Sequence, residues 1–580
     1  MRPHDGSFAK YTLAMLIVGV VLGCGPSPST PQTGSQTNWL QACRSDDQCG
    51  GDFECVCGVC TRLCEGEGSC IGLPGGTCVA AEDVSAIALC GAETPPSPGM
   101  CLARCEPEGC PMGSSCIDGM CAVAAAPPSI VSTPEPTPPA EPTVPLEPSA
   151  VVTIDTALSF QTLVGFGGAV AYVEGAIANS AQREAVYDAM FGDSGFDMVR
   201  FRNRFANPGD DDLTFTGEIV SAATARLGHA PLVLLTSWSP PAALKANASS
   251  NCGGNLDTCT LSRLADGSFD YAGFAGYWRS SLDAYAAVGV QPQYIGIQNN
   301  PNWVPPATGP LQACHFLPTE GSSTVTMNGV DVEIPYPGFD EAVTAVAGAL
   351  QGLASVPKIV GPETTGVEGV ADYASVLDLS AVGALGHHLY GTDPGAIDPQ
   401  VLSSLSELGR QYQLPIFQTE MQAGGLETAV LVHHALVTGG ASVYLQNDLV
   451  GVPLTIADPG DLIILSDAGV TLQLPYYALR HFAHDTDPGW VRVSATTTVE
   501  PLLTSAWLSP TGDALTVVIV NPGLEEREVG LEFPVELGTT SNVTRTIFGG
   551  SERAADLGQL PADSTLLVPA EAIVTIALHR

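Results

Sequence analysis

The chain has 580 residues, 45% of them hydrophobic and only 14% charged, which is long and apolar enough for several globular domains. Its formal net charge of -40, from 21 basic and 61 acidic residues, argues against nucleic acid and anionic lipid surfaces as partners. Of its 18 cysteines, 14 fall between Cys43 and Cys121, a density typical of disulfide-stapled proteins in an oxidising compartment.

Residues 1–23 have the pattern of an export signal, in which basic residues precede an apolar run too short to remain as a membrane-spanning helix. The run ends Val21-Leu22-Gly23-Cys24, which resembles a bacterial lipobox. That resemblance implies lipidation of Cys24, so the protein would touch the membrane through a lipid anchor only. We therefore expect an exported protein, anchored in the outer membrane or extracellular. An ordinary cleaved signal is the alternative.

Three segments of distinct composition follow the signal. Residues 24–42 are rich in Pro, Ser, Thr and Gln, as expected of a flexible tether. Residues 43–122 form a cysteine-rich module whose disulfide connectivity the sequence leaves open, as it leaves open adhesion or spacing as the role. The module has no histidine and lies in an oxidising compartment, so we expect no metal site. Residues 123–149 form a Pro-rich, semi-rigid linker.

From residue 150 onwards, apolar strand-like runs alternate with helical patterns. Two short strands within Val151–Leu163 are expected to lead into a Gly-rich turn at Gly165–Ala169. Further strands are predicted at residues 197–202, 231–236, 292–297, 358–363, 384–390, 415–420 and 441–446. This alternation predicts an α/β fold, a (β/α)8 TIM barrel over residues 150–489, with its site at the C-terminal strand ends.

The pattern changes again near Trp490, after which all predicted elements are strands. A β-sandwich attached to the barrel is therefore predicted over residues 490–580, and the early segment 151–160 could add a strand to it. The full prediction is a small disulfide-rich module, then a TIM barrel with a β-sandwich.

Two predicted strand ends carry the chemistry. In the run Ile297–Trp303, the predicted strand ends at Asn299, Asn300 and Pro301. In the run 415–421, the predicted strand ends in a lone carboxylate, Glu420. Polar residues at the C-terminal ends of barrel strands are where barrel enzymes place their catalytic groups.

The order and spacing of five stretches resemble glycoside hydrolase family 30, which includes glucuronoxylanases, glucanases and glucosylceramidases. The resemblance covers roughly residues 151–580. The stretches are Gln161–Ala169, Ser237–Pro241, Ile297–Trp303 with the following 314–320, His387–Tyr390 and Gln418–Glu420. It implies a polysaccharide or glycoconjugate as partner, with no cofactor.

The resemblance assigns Glu420 as the nucleophile of a retaining glycosidase. It places the acid/base glutamate at Asn300, where family members read Asn-Glu-Pro and this chain reads Asn299-Asn300-Pro301. An amide cannot release a proton to a departing sugar oxygen. The same resemblance assigns substrate-binding roles to Asn299, Trp238, Trp303, Tyr390, His388 and Arg200.

Three interpretations of Asn300 remain open. A neighbouring carboxylate could take over proton transfer, with Glu320, Glu363 and Glu174 as candidates. The barrel could instead be a glycan-binding pseudoenzyme, or it could act on substrates that need no acid. An adhesin acting through the cysteine-rich module is a further alternative.

Charge also restricts the substrate. The segment Asp448–Asp461 follows the last barrel strand and contains no arginine or lysine, so it should repel a uronate branch. We expect a neutral β-linked polysaccharide of the xylan or glucan type. Cys252 and Cys259 are expected to bridge a small loop, which leaves Cys314 over. The oligomeric state does not follow from the sequence.

Overall fold

A computed structural model describes residues 148–580, apart from 208, 253–256, 306–310, 328–329, 392–398, 453–459, 535–536 and 538–539, together with short segments between residues 54 and 122. The predicted signal, Cys24, the tether and nearly all of the linker lie outside the described residues. The chain divides into two compact units, Met1–Thr143 and Val144–Arg580, which we describe separately.

Short antiparallel strand pairs make up the described part of the N-terminal unit. They are Glu54–Val56 with Val59–Thr61, Gly76–Ala80 with Gly99–Ala103, and Ser115–Ile117 with Met120–Ala122. Disulfides join Cys64 to Cys78 and Cys70 to Cys101, which confirms the disulfide prediction for these four cysteines. Three of their sulfur atoms lie within 4.8 Å of one another, but disulfide sulfurs offer no thiolate to a metal.

Eight parallel strands close into a barrel in the second unit, as predicted. Counted in chain order, they are Gly165–Val170, Met198–Arg202, Leu232–Thr236, Tyr294–Gly296, Lys358–Thr364, Val382–His388, Ile416–Glu420 and Ala441–Gln446. The expected Gly-rich turn is wrong, because Gly165–Val170 is the first barrel strand. A Cβ at Gly167 would lie 1.8 Å from the Met198 carbonyl oxygen, so glycine permits close approach of strands.

The barrel interior is packed with side chains and opens into polar groups at one end. Met198, Leu234, Val360, Phe417 and Val443 fill its centre. Alternate residues of the same strands face the helices outside, in a second apolar layer. The two layers explain why the strands read as nearly continuous apolar runs, and they hold the C-terminal strand ends in fixed positions.

Helices connect the strands and surround the barrel. They span Glu174–Ala178, Arg183–Phe191, Thr214–Leu227, Tyr271–Ala287, Phe339–Leu350, Val370–Ala374, Pro399–Tyr412, Gly425–Val437 and Leu474–Ala483, with a 3-10 turn at Ala242–Leu244. The longest begins where the Asp270 carboxylate accepts a hydrogen bond from the Gly273 backbone, a side-chain cap. No helix in the described part of the chain is both long and apolar enough to cross a membrane.

The C-terminal strands form one nine-stranded sheet with a shared apolar core. Its strands are Ala150–Thr162, Val491–Thr497, Leu503–Leu508, Ala514–Asn521, Arg527–Glu532, Thr540–Ile547, Ala555–Gly558, Thr565–Val568 and Ala572–His579. The first is one long strand rather than the two short ones expected, and it pairs with Val491–Thr497 and Arg527–Glu532. This sheet is the predicted β-sandwich region.

The sheet packs against the barrel helices. Along Ala514–Asn521, Leu515 and Val517 face the core of the sheet, whereas Val518 and Val520 join the apolar layer around the barrel. Buried His481, on the last helix, bonds Thr546 and Thr575 of the sheet at 2.9 Å each. Burial holds the pKa of His481 at about 3, so the ring is neutral and fixes this contact.

Two of the loops that follow barrel strands contain short strands of their own. Gly321–Met327 pairs with Val330–Tyr336 in an antiparallel hairpin after the fourth strand. Val450–Gly451, Ile463–Ser466 and Gly469–Leu472 form a small sheet after the eighth strand. These insertions lengthen two of the loops that follow barrel strands, the loops that build the sites of such barrels.

Candidate active site

A buried arginine organises the C-terminal end of the barrel. Met198, Arg200 and Arg202 are alternate residues of the second strand, and Met198 packs inside the barrel, so Arg200 projects inward as well. Its guanidinium donates to Glu420 Oε2 at 2.6 Å and to Asn299 Oδ1 at 2.6 Å. The side chain is fully buried, so this contact is a buried ion pair rather than a surface one.

A second carboxyl group shares the same guanidinium. Glu363, at the end of the fifth strand, lies 3.1 Å from Arg200 and accepts a hydrogen bond from the Thr236 hydroxyl at 3.2 Å. Its side chain also occupies the space beside Gly296, where a Cβ would lie 1.6 Å from Glu363 Oε2. Glycine at 296 therefore gives room for a carboxyl group that contacts three neighbouring barrel strands.

Among Arg200, Glu420 and Glu363, the electrostatic environment favours a protonated carboxyl group at Glu363. Burial raises the pKa of Glu363, and the charge of Arg200 opposes that shift only in part. Burial would lower the pKa of Arg200, but Glu363 and Glu420 hold it above its ordinary value. A protonated Glu363 leaves the Arg200–Glu420 pair electrically neutral, which is the favourable state for buried charges.

Aromatic and histidine side chains surround Glu420. The Tyr390 hydroxyl donates to Glu420 Oε1 at 3.0 Å, and burial raises the pKa of Tyr390, so it remains a donor. His388 Nε2 lies 4.0 Å from Glu420 Oε2, and burial holds the pKa of His388 well below its ordinary value. The Trp238 ring lies over Arg200, with the guanidinium carbon 4.4 Å from the ring centre. The cation is therefore enclosed on several sides.

Asn300 lies beside this group. Its backbone N–H donates to the Glu363 carbonyl at 3.1 Å, and its φ of 47° places it in the left-handed region, which asparagine tolerates better than most residues. Its side-chain oxygen is buried and has no hydrogen-bond partner among the described residues. Trp303 is half-buried, and its backbone N–H bonds the Asn300 carbonyl at 3.0 Å.

The three candidate replacement acids lie in different surroundings. Glu363 is fully buried, with its carboxyl group engaged by Arg200 and Thr236. Glu174 is buried too, but the cations nearest it are Arg204 and Arg202, and burial raises the pKa of Glu174. Glu320 is exposed and accepts a hydrogen bond from the Tyr271 hydroxyl at 2.8 Å. Among them, Glu363 is the one in contact with Arg200.

Sequence reasoning missed part of this end of the barrel. The sequence makes Glu363 a candidate replacement acid but does not identify it as an Arg200 partner, and it singles out neither Arg202 nor Tyr172. The guanidinium carbon of Arg202 lies 4.0 Å from the centre of the Tyr172 ring. The sequence does contain the information that points to Arg202. It follows Arg200 by two residues on one strand, so the two side chains face the same way.

Cysteine pairing in the loop after the third strand follows the prediction. Cys252 and Cys259 are joined by a disulfide, and Cys314 is free and buried. Burial raises the pKa of the Cys314 thiol to about 11, so it stays protonated near neutral pH.

No family model matches the sequence, and a search of curated proteins finds no match. Solved structures do match. The family 30 subfamily 8 xylanase Xyn30A from Clostridium acetobutylicum is 20% identical, over 74% of this chain and 100% of its own, with a TM-score of 0.55. Xylanase C from Talaromyces cellulolyticus is 17% identical, with the same coverages and a TM-score of 0.56. A conserved exported protein from Bacteroides fragilis is 16% identical, over 74% of this chain and 100% of its own, with a TM-score of 0.56. The chain therefore has the barrel-and-sheet fold of the glycoside hydrolase family 30 xylanases.

Proposed function

We propose that the second unit binds a neutral β-linked polysaccharide of the xylan or glucan type, with Glu420 as a retaining-type nucleophile and no proton donor at Asn300. The observation that carries the proposal is the Arg200 contact to both Glu420 and Asn299, at 2.6 Å each. It holds a carboxylate and an amide side by side at the end of the barrel that carries the active sites of this architecture.

The chemistry follows from what these groups can supply. Glu420 would attack the anomeric carbon and form a glycosyl ester, while the bond to the leaving oxygen breaks. Tyr390 and Arg200 hold one Glu420 oxygen each, which orients the carboxylate. A natural leaving group departs as an alkoxide unless it receives a proton, and Asn300 has none to give. Binding of natural glycans with very slow turnover is the expected result.

A replacement acid is the weaker alternative. The raised pKa of Glu363 would suit a proton donor, but its fully buried side chain would have to leave Arg200 and Thr236 to reach a leaving group. Glu174 and Glu320 belong to other groups of contacts, with Arg204 and Tyr271 respectively. The burial of Glu363 therefore favours the binding function with impaired catalysis.

We also propose export, with lipidation at Cys24 as the point of membrane attachment. The disulfides Cys64–Cys78, Cys70–Cys101 and Cys252–Cys259 support an oxidising compartment. The Bacteroides fragilis protein with the same fold is described as exported.

Calorimetric titration of the full chain tests the proposed function. Xylotetraose, cellotetraose and a β-linked glucose tetraose of another linkage are the probes, and reducing-sugar release is followed in the same samples. We expect saturable binding of at least one tetraose without measurable hydrolysis. Trp238→Ala should weaken that binding about tenfold, because the loss of one aromatic contact of about 1.4 kcal/mol corresponds to that factor. No binding of any tetraose would overturn the proposal.

A further inference from the structure

Tyr172 is an exposed aromatic residue held in an unfavourable backbone conformation. It comes two residues after the first barrel strand, at the end of the barrel that holds Glu420, and its side chain is 56% exposed. Its φ of 67° is in the left-handed region, which costs a residue other than glycine about 1–2 kcal/mol. The fold therefore presents this ring to solvent in spite of a backbone cost, and such strain clusters at ligand sites.

One side of the ring rests on a fixed cation. The guanidinium carbon of Arg202 lies 4.0 Å from the Tyr172 ring centre, and the Arg202 side chain is fully buried. Asp210 forms an ion pair with Arg202, and the Gln312 side-chain oxygen accepts from it at 3.4 Å. These contacts immobilise the guanidinium, so the ring above it is oriented before any ligand arrives.

The pair formed by Arg202 and Tyr172 resembles the pair formed by Arg200 and Trp238 beside Glu420. Arg200 and Arg202 are two residues apart on one strand and thus share a face, and each lies under an aromatic ring, Trp238 at 4.4 Å and Tyr172 at 4.0 Å. Burial is the largest cause of the raised pKa of Tyr172, about 12, and Glu420 is among the charges that add to it. Because Arg202 covers one side of the ring and 56% of the residue is exposed, the other side is open to a ligand.

The charges near the ring restrict what can stack on it. Asp210 pairs with the Arg202 guanidinium beneath the ring, and Asp448 precedes Leu449, whose backbone N–H donates to the Ala169 carbonyl of the first strand at 2.7 Å. Arg202 is the nearby cation, but it is buried beneath the ring and paired with Asp210. Because Arg202 is buried and paired, an anionic ligand at this ring would be repelled by the carboxylates, whereas a neutral sugar would meet an apolar aromatic face with polar groups around it.

We propose that Tyr172 is a sugar-stacking residue that binds an uncharged pyranose unit of the glycan and discriminates against uronate-bearing units. The proposal rests on the proposed function, since the stacked sugar belongs to the chain bound at Glu420. It adds a subsite after the first strand to the groups contributed at the ends of the second, third, fourth, sixth and seventh strands.

Titration of the same tetraoses against Tyr172 variants of the full chain tests this subsite. Tyr172→Ala should weaken binding of the best tetraose about tenfold, whereas Tyr172→Phe, which keeps the ring, should stay within about twofold. Phe160→Ala is the matched control. Phe160 is also exposed, at 51%, and stacks on Arg492 at 3.9 Å, but it lies on the nine-stranded sheet. It should leave binding unchanged.

The outcomes separate the two proposals. If wild type binds, Trp238→Ala weakens binding and Tyr172→Ala does not, the stacking role is wrong and the proposed function stands. If no tetraose binds wild type, both fall. A xylotetraose carrying a glucuronate branch should bind wild type more weakly than unbranched xylotetraose, and equal or tighter binding would overturn the charge discrimination. Thermal unfolding midpoints of the variants within a few degrees of wild type are expected, since Tyr172 is exposed.

Discussion

An Asn300→Glu variant is expected to hydrolyse the tetraose that wild type binds, with kcat/KM raised by about 10²–10⁴-fold, the usual contribution of general acid/base catalysis. The substitution places a carboxyl group where the chain now has a buried amide oxygen without a partner among the described residues. Glu420, already held by Arg200 and Tyr390, then has a proton donor to work with. Reducing-sugar release and product analysis are the measurements.

Leaving-group dependence sharpens this prediction. A dinitrophenyl β-glycoside expels a stable phenolate that needs no proton, so the gain from Asn300→Glu should be much smaller on that substrate than on the tetraose. Asn300→Gln is the matched control, because it lengthens the side chain without adding an acid, and it should gain nothing. A glutamate at φ 47° costs about 1 kcal/mol, which a small drop in melting temperature would report. Equal activity of Asn300→Glu and Asn300→Gln would contradict the prediction.

Replacing Arg200 by methionine is expected to lower the free energy of unfolding by about 3–5 kcal/mol, the typical cost of breaking a buried ion pair by removing one partner. Glu363 and Glu420 would then remain buried without their shared cation. Glycan binding should fall as well, because Asn299 loses its 2.6 Å contact with the guanidinium. Urea unfolding near neutral pH measures the first effect and titration the second.

Two further variants distinguish the stability effect of losing the buried ion pair from the general effect of removing an arginine. Arg410→Met removes a guanidinium that pairs with Glu407 at 3.5 Å on an exposed helix, and it should cost less than about 0.5 kcal/mol. Arg200→Met combined with Glu420→Gln should recover part of the stability, since the buried carboxylate that lost its cation is gone. A loss below about 1 kcal/mol for Arg200→Met would show that the cluster is not held by this cation.

The sequence was sufficient for the barrel and for the position of Glu420, because both depend on local patterns. Alternating apolar runs and helices predict parallel strands, and a carboxylate directly after such a run falls at the C-terminal strand end. The structure places Glu420 as the last residue of the seventh strand, with Arg200 and Tyr390 in contact with it.

Other features depend on neighbours distant in sequence. The stretch Gly165–Val170 looks like a turn because of its glycines, but those glycines allow strands to approach closely inside the barrel. The contact between Glu363 and Arg200 depends on an irregularity in strand register between Pro362 and Thr364 and on a φ of 55° at Glu363. Neither the irregular register nor the backbone angle at Glu363 can be predicted from the pattern of residue types along the chain.

The central claim is that a nucleophile survives in this barrel while its proton donor is lost. The most direct measurement is mass spectrometry of wild-type protein incubated with a dinitrophenyl β-glycoside in which fluorine replaces the 2-hydroxyl, a substrate that needs no acid to lose its phenolate. We predict one equivalent of dinitrophenolate and a fluorosugar attached to the peptide that contains Glu420, with neither seen for Glu420→Gln. Absence of the adduct in wild type, or its attachment to another residue such as Glu363, would contradict the account.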